Sequence, residues 1–322
     1  DGYFVANTPS KINWLILRGF LDDQGKTDTA RNAFKGGLKV YPYSQRANPP
    51  ANNFKNLTDW ETNTIHANNF KFFEELDEVI QREPSDLFSP ELLGMASSIG
   101  IEKGKPFNPS PEQKALLTEA VAIGNATARS ILFGPQDPKN FIYPGKAGYW
   151  QTGFPGGSHE YLVNQGNGGR DMDGRTLFFY LATVNTPAMA LEIPGVGSQY
   201  AFSSRDGSGA YLNGSNTYKL NIPANPPAQK FWSFVVYDPQ TRSMLQSADM
   251  PYPSKNNKRN TDMVKNADGS IDLYFGPEAP AGMEANWVKT VPGKGWFGIF
   301  RLYGPGQEWF DRTWKLGDIE KV

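Results

Sequence analysis

The sequence predicts a mainly β protein with an α-helical connector, and three observations carry that expectation. Gly (33) and Pro (25) are used heavily in the 322 residues, the mark of many turns and short elements. Several runs in the second half alternate apolar and polar residues with period two. Between residues 51 and 140 the period changes to that of a helix. Hydrophobic residues make up 39% of the chain, ample for a core, and the length suits two domains.

Residues 1–50 read as β. The runs 3–6 and 13–18 are strand-like and flank Asn7-Thr8-Pro9-Ser10, a good turn. Residues 28–38 suit a short helix, and 38–42 a closing strand. Two strands with little else do not hold a sheet in water, so their neighbours are expected from elsewhere. The opening Asp1-Gly2-Tyr3-Phe4-Val5-Ala6 has no initiator Met and none of the regions of a signal peptide. The expectation is a chain that starts in mid-domain. Its partner is then a missing N-terminal segment or a second chain, with a homo-oligomer also open.

Residues 51–140 read as a helical connector. Thr58-Asp59-Trp60-Glu61 has the capping-box pattern, and Phe72, Phe73, Leu76, Val79 and Ile80 follow at helical spacing. Ser89-Pro90-Glu91 and Ser110-Pro111-Glu112-Gln113 each place a capping Ser before Pro at the first helical position. Leu117, Val121, Gly124, Ala128 and Ile131 share one face, and Gly134-Pro135 ends the third helix.

Residues 141–322 return to β. Tyr218, Leu220 and Ile222 alternate with polar residues, as do Ile271, Leu273 and Phe275. The runs 231–237 and 295–303 are apolar on both faces and predict central strands. Ala267-Asp268-Gly269-Ser270 is a hairpin-type turn. Residues 177–182 fit either helix or strand. Strands separated by Gly, Pro and Asn turns favour an antiparallel sandwich over βαβ units.

Composition narrows function chiefly by exclusion. There is no cysteine, which removes disulfides, thiol catalysis and thiolate metal sites. A formal net charge of -1 gives no basic footprint for nucleic acid, and no apolar run has the length of a membrane span. Abundant Asn, modest Lys+Arg and the lack of thiols fit an exported protein, periplasmic or secreted. No cofactor or metal is expected. Asp171-Met172-Asp173-Gly174 lacks the later ligands of a calcium loop. The glycine spacing of residues 293–298 runs into a strand, not a helix, and reads as a turn.

The C-terminal half carries recognisable runs. These are Ser233-Phe234-Val235-Val236-Tyr237-Asp238, Asp272-Leu273-Tyr274-Phe275-Gly276-Pro277, Asn286-Trp287, Pro292-Gly293-Lys294-Gly295-Trp296 and Arg301-Leu302-Tyr303-Gly304-Pro305. They resemble the C-terminal domain of unknown function numbered 1214. Gly2-Tyr3-Phe4-Val5 and Trp14-Leu15-Ile16-Leu17-Arg18-Gly19 resemble the end of its partner, the domain of unknown function numbered 1254. The resemblance implies two antiparallel, jelly-roll-like β-sandwich domains bridged by helices, with the first incomplete. The expected division is 1–50 for the remnant of the first, 51–140 for the connector and 141–322 for the second. It also implies export in bacteria and no settled activity.

Candidate chemistry is thin. His159 and Glu160 in a Gly-rich loop, with Asp238, are the candidates for acid–base work. His66 is placed on a helix. Ser158 lacks the nucleophile-elbow pattern. Arg175, Tyr237, Arg242, Arg301 and Tyr303 are the candidates for ligand binding. Arg301 lies between Phe300 and Leu302 on an apolar strand, so its charge requires a carboxylate or a bound anion. Trp232, Trp287, Trp296, Trp309 and Trp314 read as core before they read as sugar platforms. The expected activity is binding of a small polar or carbohydrate-like ligand. A hydrolase using Asp, Glu, His or Tyr, and a structural or assembly role, are the alternatives.

Overall fold

A computed structural model describes residues 5–22, 24–57, 60, 65–144, 148–182 and 184–322. The chain divides into two compact units, one of residues 1–63 and 70–117, the other of residues 64–69 and 118–322.

The first unit is helical where it is regular. Helix α1 is Asp28–Gly37, α2 is Lys71–Arg82 and α3 is Pro90–Ser98. The Ser89 hydroxyl accepts from the Leu92 N–H, so the expected N-cap forms. Phe73 and Ile80 are the buried positions of α2, whereas Val79 of the predicted stripe is exposed. The capping box at 58–61 and the run 3–6 fall largely outside the described residues. Residues 13–18 and 38–42 form no strand, which corrects the expectation for both. Among the described residues of 5–57 there is no strand at all, and Trp14, Leu15 and Phe20 are exposed. The backbone amides of Lys11 and Ile12 donate instead to the carboxylate of Glu83.

Helix α4, Pro111–Phe133, starts as expected, with the Ser110 hydroxyl accepting from the Gln113 N–H at 3.1 Å. In the second unit follow α5 (Met172–Leu181) and the one-turn helix α6 (Pro187–Ala190). The ambiguous run 177–182 is therefore mostly helix. Asp171 caps α5, its carboxylate accepting from the Gly174 N–H at 2.9 Å, so the Asp-Met-Asp-Gly run is a helix start.

Eight strands follow: β1 Ser198–Ser203, β2 Tyr218–Ile222, β3 Ala228–Tyr237, β4 Ser254–Asn256, β5 Ile271–Gly276, β6 Trp287–Lys289, β7 Phe297–Pro305 and β8 Ile319–Lys321. The last helix, α7, is Gln307–Phe310. They make two four-stranded sheets, ordered β1-β7-β3-β4 and β6-β5-β2-β8. The protein is thus mainly β with helices, in a sandwich-like arrangement. The first sheet is antiparallel throughout; the second is mixed, because β5 and β6 run parallel. Residues 267–270 form a turn, but it precedes β5 without joining two paired strands.

The first sheet is covered on both sides, which explains its continuous apolar strands. Trp232, Phe234 and Val236 of β3, with Phe300 and Leu302 of β7, pack against Leu220, Leu273 and Phe275 of the second sheet. Val235, Tyr237, Phe297 and Ile299 point the other way, onto Leu132 and Phe133 of α4 and Leu177 and Tyr180 of α5. Trp232, Trp296 and Trp309 belong to the inter-sheet core, and Trp314 packs against it. Each therefore serves packing.

Candidate functional site

The helix-facing side of the first sheet does not close completely. A cavity of about 400 Å³ remains between that face and α5. Its floor is Tyr200 and Phe202 of β1, Tyr237 of β3, and Ile299 and Arg301 of β7. Period two puts 299 and 301 on one face, and strand pairing sets Tyr200 directly opposite Arg301. Its other walls include Phe154, Phe178, Met189, Arg242 and, before α2, Ile65 and His66.

Arg242 reaches the cavity through a tight excursion after β3. The Arg242 N–H donates to the Asp238 carbonyl at 2.7 Å, and the Asp238 N–H to that of Ser243 at 2.9 Å. Arg242 itself takes a left-handed backbone, φ 56°, a conformation costly for a residue with a Cβ. Its Nε donates to the Tyr180 carbonyl at 3.0 Å and its Nη1 to that of Gln240 at 2.7 Å. The guanidinium lies 4.0 Å from the centroid of the Tyr180 ring. Tyr180 is in the last turn of α5, where a cation meets the negative end of the helix and an otherwise orphaned carbonyl. Burial pulls the Arg242 pKa down, against the effect of Tyr180.

Arg301 has no such helix end. Its Nη2 donates to the Tyr237 hydroxyl. Among the described residues neither arginine forms an ion pair. One nitrogen of each, Arg242 Nη2 and Arg301 Nε, is buried without a hydrogen-bond acceptor among those residues. Burial works against the charge of Arg301, but Tyr237, Tyr303 and Tyr200 around it raise its pKa overall. Burial pushes the Tyr237 hydroxyl above the usual tyrosine range, with Arg301 pulling partly back, so the phenol is neutral at physiological pH.

The cavity therefore brings together Tyr237, Arg242 and Arg301 of the residues named from sequence. Tyr303 stands beside the group, stacked on Phe231 with ring centroids 4.1 Å apart. Arg175 is on α5 but not on the cavity wall. His159 and Glu160 lie in a turn, not a strand, and neither lines the cavity. The His159 carbonyl accepts from Asn185 Nδ2 at 2.7 Å, and the Glu160 carbonyl from Arg170. Asp238 is buried and paired with Lys294 at 2.5 Å, and its carboxylate also accepts from the Gln240 N–H. Those contacts fix the excursion that carries Arg242.

His66 lies in the loop before α2, not on a helix. Its ring is 5.7 Å from that of Tyr180. Its place on the wall was not legible, since no motif links residue 66 to residues 154, 178 or 242. Among the described residues no group of three His, Asp or Glu is arranged to hold a metal, and no helix is long and apolar enough to cross a membrane.

No curated protein matches this sequence. A crystal structure of a Vibrio parahaemolyticus protein is 19% identical with a TM-score of 0.45, over 94% of this chain and 66% of that one. A crystal structure of a putative uncharacterized protein from Burkholderia cenocepacia is 15% identical with a TM-score of 0.32, over 72% and 48%. The chain thus spans less than two thirds of either. Residues 197–307, which supply β1 through β7 and with them Tyr237, Arg242 and Arg301, match the family described as protein of unknown function DUF1214.

Proposed function

We propose that the cavity between α5 and the first sheet binds a small organic anion with an apolar body. One observation carries this reading: Arg301 is half-buried on an apolar floor, its Nε shut off from solvent without an acceptor, and it has tyrosine hydroxyls but no carboxylate partner among the described residues. A buried cation without a counter-charge is costly, and a bound anion offsets that cost. Arg242 is already engaged by the end of α5, so it adds positive potential more than a grip. The mostly aromatic and aliphatic walls suit the ligand's body.

The proposal extends to location and partners. Export to the periplasm or beyond accords with the absence of cysteine. The exposed apolar run around Trp14, Leu15 and Phe20 accords with cover from further polypeptide of the 1254 type or from a second chain.

Calorimetric titration with benzoate, phenylacetate and hexanoate tests the binding reading, with Arg301→Met as the paired variant. Wild type should bind at least one of them and the variant none. The unliganded variant should stay folded, because it exchanges a half-buried cation without a counter-charge for an apolar side chain of similar length and so removes a desolvation cost. Failure of all three to bind wild type, together with lost stability in the variant, would make Arg301 a structural residue.

A further inference from the structure

We infer that Tyr237 supplies a second, neutral hydrogen bond to the ligand, and that the cavity is thereby built for a planar monocarboxylate. The inference rests on the anion-binding reading and specifies it. A guanidinium has donors only, so in the Arg301–Tyr237 contact the phenol oxygen is the acceptor. The phenol's own proton must then point elsewhere. Among the described residues it meets no acceptor, since the contact with Arg301 is the only hydrogen bond of that hydroxyl. Burial raises the Tyr237 pKa, so the proton stays on the oxygen at neutral pH. Tyr237 also forms part of the cavity floor, with its ring stacked on Phe297 at 5.2 Å, which fixes the direction of the hydroxyl.

The floor thus offers a fixed cation and a fixed O–H donor side by side, and among the described residues no carboxylate pairs with that cation. A carboxylate satisfies both through its two oxygens. An amide presents one neutral oxygen, so it meets the cation without a counter-charge and with a weaker hydrogen bond. The rings of Phe154, Phe178 and Phe202 on the surrounding walls favour a flat body attached to that carboxylate.

The test uses the full chain with Tyr labelled with carbon-13 at the ring carbon bearing oxygen, and benzoate, benzamide and toluene as probes. The Tyr237 resonance, assigned with Tyr237→Phe, should shift on saturation with benzoate and stay put with toluene. Tyr237→Phe should weaken benzoate about tenfold while leaving toluene unchanged. Benzamide should bind wild type more weakly than benzoate. Benzoate binding that leaves the Tyr237 resonance and the Tyr237→Phe affinity unchanged would overturn this inference and leave the anion reading standing. Benzoate that fails to bind wild type while hexanoate binds would also overturn this inference alone; failure of benzoate, phenylacetate and hexanoate together would remove both. Should Tyr237→Phe not fold, Phe297→Leu, which removes the ring stacked on Tyr237, identifies its resonance, and the wild-type shift still decides.

Discussion

Residues 13–18 and residues 231–237 are written in the same alphabet, and the protein uses them in opposite ways. Both are short runs of Trp, Leu, Ile, Val or Phe between polar flanks. In the first, Trp14 is 74% and Leu15 73% exposed, and no ladder forms. In the second, Phe234 and Val236 are fully buried, and the strand pairs on one edge with β7 and on the other with β4. Strand propensity is a preference for a pleated, half-buried surface, so the run becomes a strand only where neighbours supply that surface. β3 has two neighbours and a layer on each face; residues 13–18 have neither.

The comparison is broken most easily by deleting an aromatic ring from each region. Phe300→Ala empties a site packed by Trp232 and Trp314 and should cost about 3–5 kcal/mol in denaturant unfolding of the chain. Phe20→Ala removes a ring that is 91% exposed and should change stability by less than about 0.5 kcal/mol. A large cost for Phe20→Ala would mean that the early region is covered in solution, as the proposed partner polypeptide requires.

Adding a methyl group sharpens the same contrast, with opposite signs. A Cβ on Gly298 of β7 would lie 2.2 Å from Cζ of Phe234, in a close-packed core. Gly298→Ala should therefore destabilise by about 1–3 kcal/mol. A Cβ on Gly36 of α1 meets nothing within 4 Å, and Gly36→Ala should stabilise that helix by about 0.5–1 kcal/mol. Thermal unfolding read by circular dichroism distinguishes the two.

What the sequence made legible follows the same line. Strands β2, β3, β5 and β7 were readable because their period or their unbroken apolar character is local. Strands β4, β6 and β8 are three residues each and take their state from the neighbour they pair with, which no window of sequence contains. Helices α3 and α4 announced themselves through Ser-Pro starts, a chemical requirement of the first turn. In the site, Arg301 was legible as a charge stranded on an apolar strand, and Tyr237 and Arg242 as polar residues at the end of another. That Arg242 reaches α5 depends on a left-handed backbone at a non-glycine position, which leaves no signal in the letters. The placing of His66, Phe154 and Phe178 around those residues is purely tertiary.

Helix capping offers a smaller test. Asp171 makes its side-chain cap to α5, and Lys139 pairs with the same carboxylate at 3.2 Å. Thr27, at the equivalent position of α1, makes no side-chain cap. Asp171→Ala should cost about 1 kcal/mol. Thr27→Ala should cost less than half of that, since no hydrogen bond is lost. Equal costs in chemical denaturation would mean that α1 is capped in solution in a way the two geometries do not share.

The smallest effect is expected from removing a carboxylate charge, and here pH supplies the control. Burial raises the pKa of Asp318, and repulsion from Glu320 adds to it. A carboxyl whose folded pKa lies above its unfolded value binds its proton more tightly in the native state. Its ionised form therefore weakens the fold at neutral pH, and stability is regained as pH falls through the folded value towards the unfolded one. Asp318→Asn should accordingly stabilise the protein slightly at pH 7, with a gain that shrinks on acidification. Asp28 of α1 is exposed and paired with Arg31 across one helical turn. Asp28→Asn loses a surface pair and a favourable charge in the first turn, so its change should be a small loss. Opposite signs at pH 7 distinguish a carboxylate held against its preference from one left in water; a gain at Asp318 that persists unchanged in acid would show that the charge was never the cause.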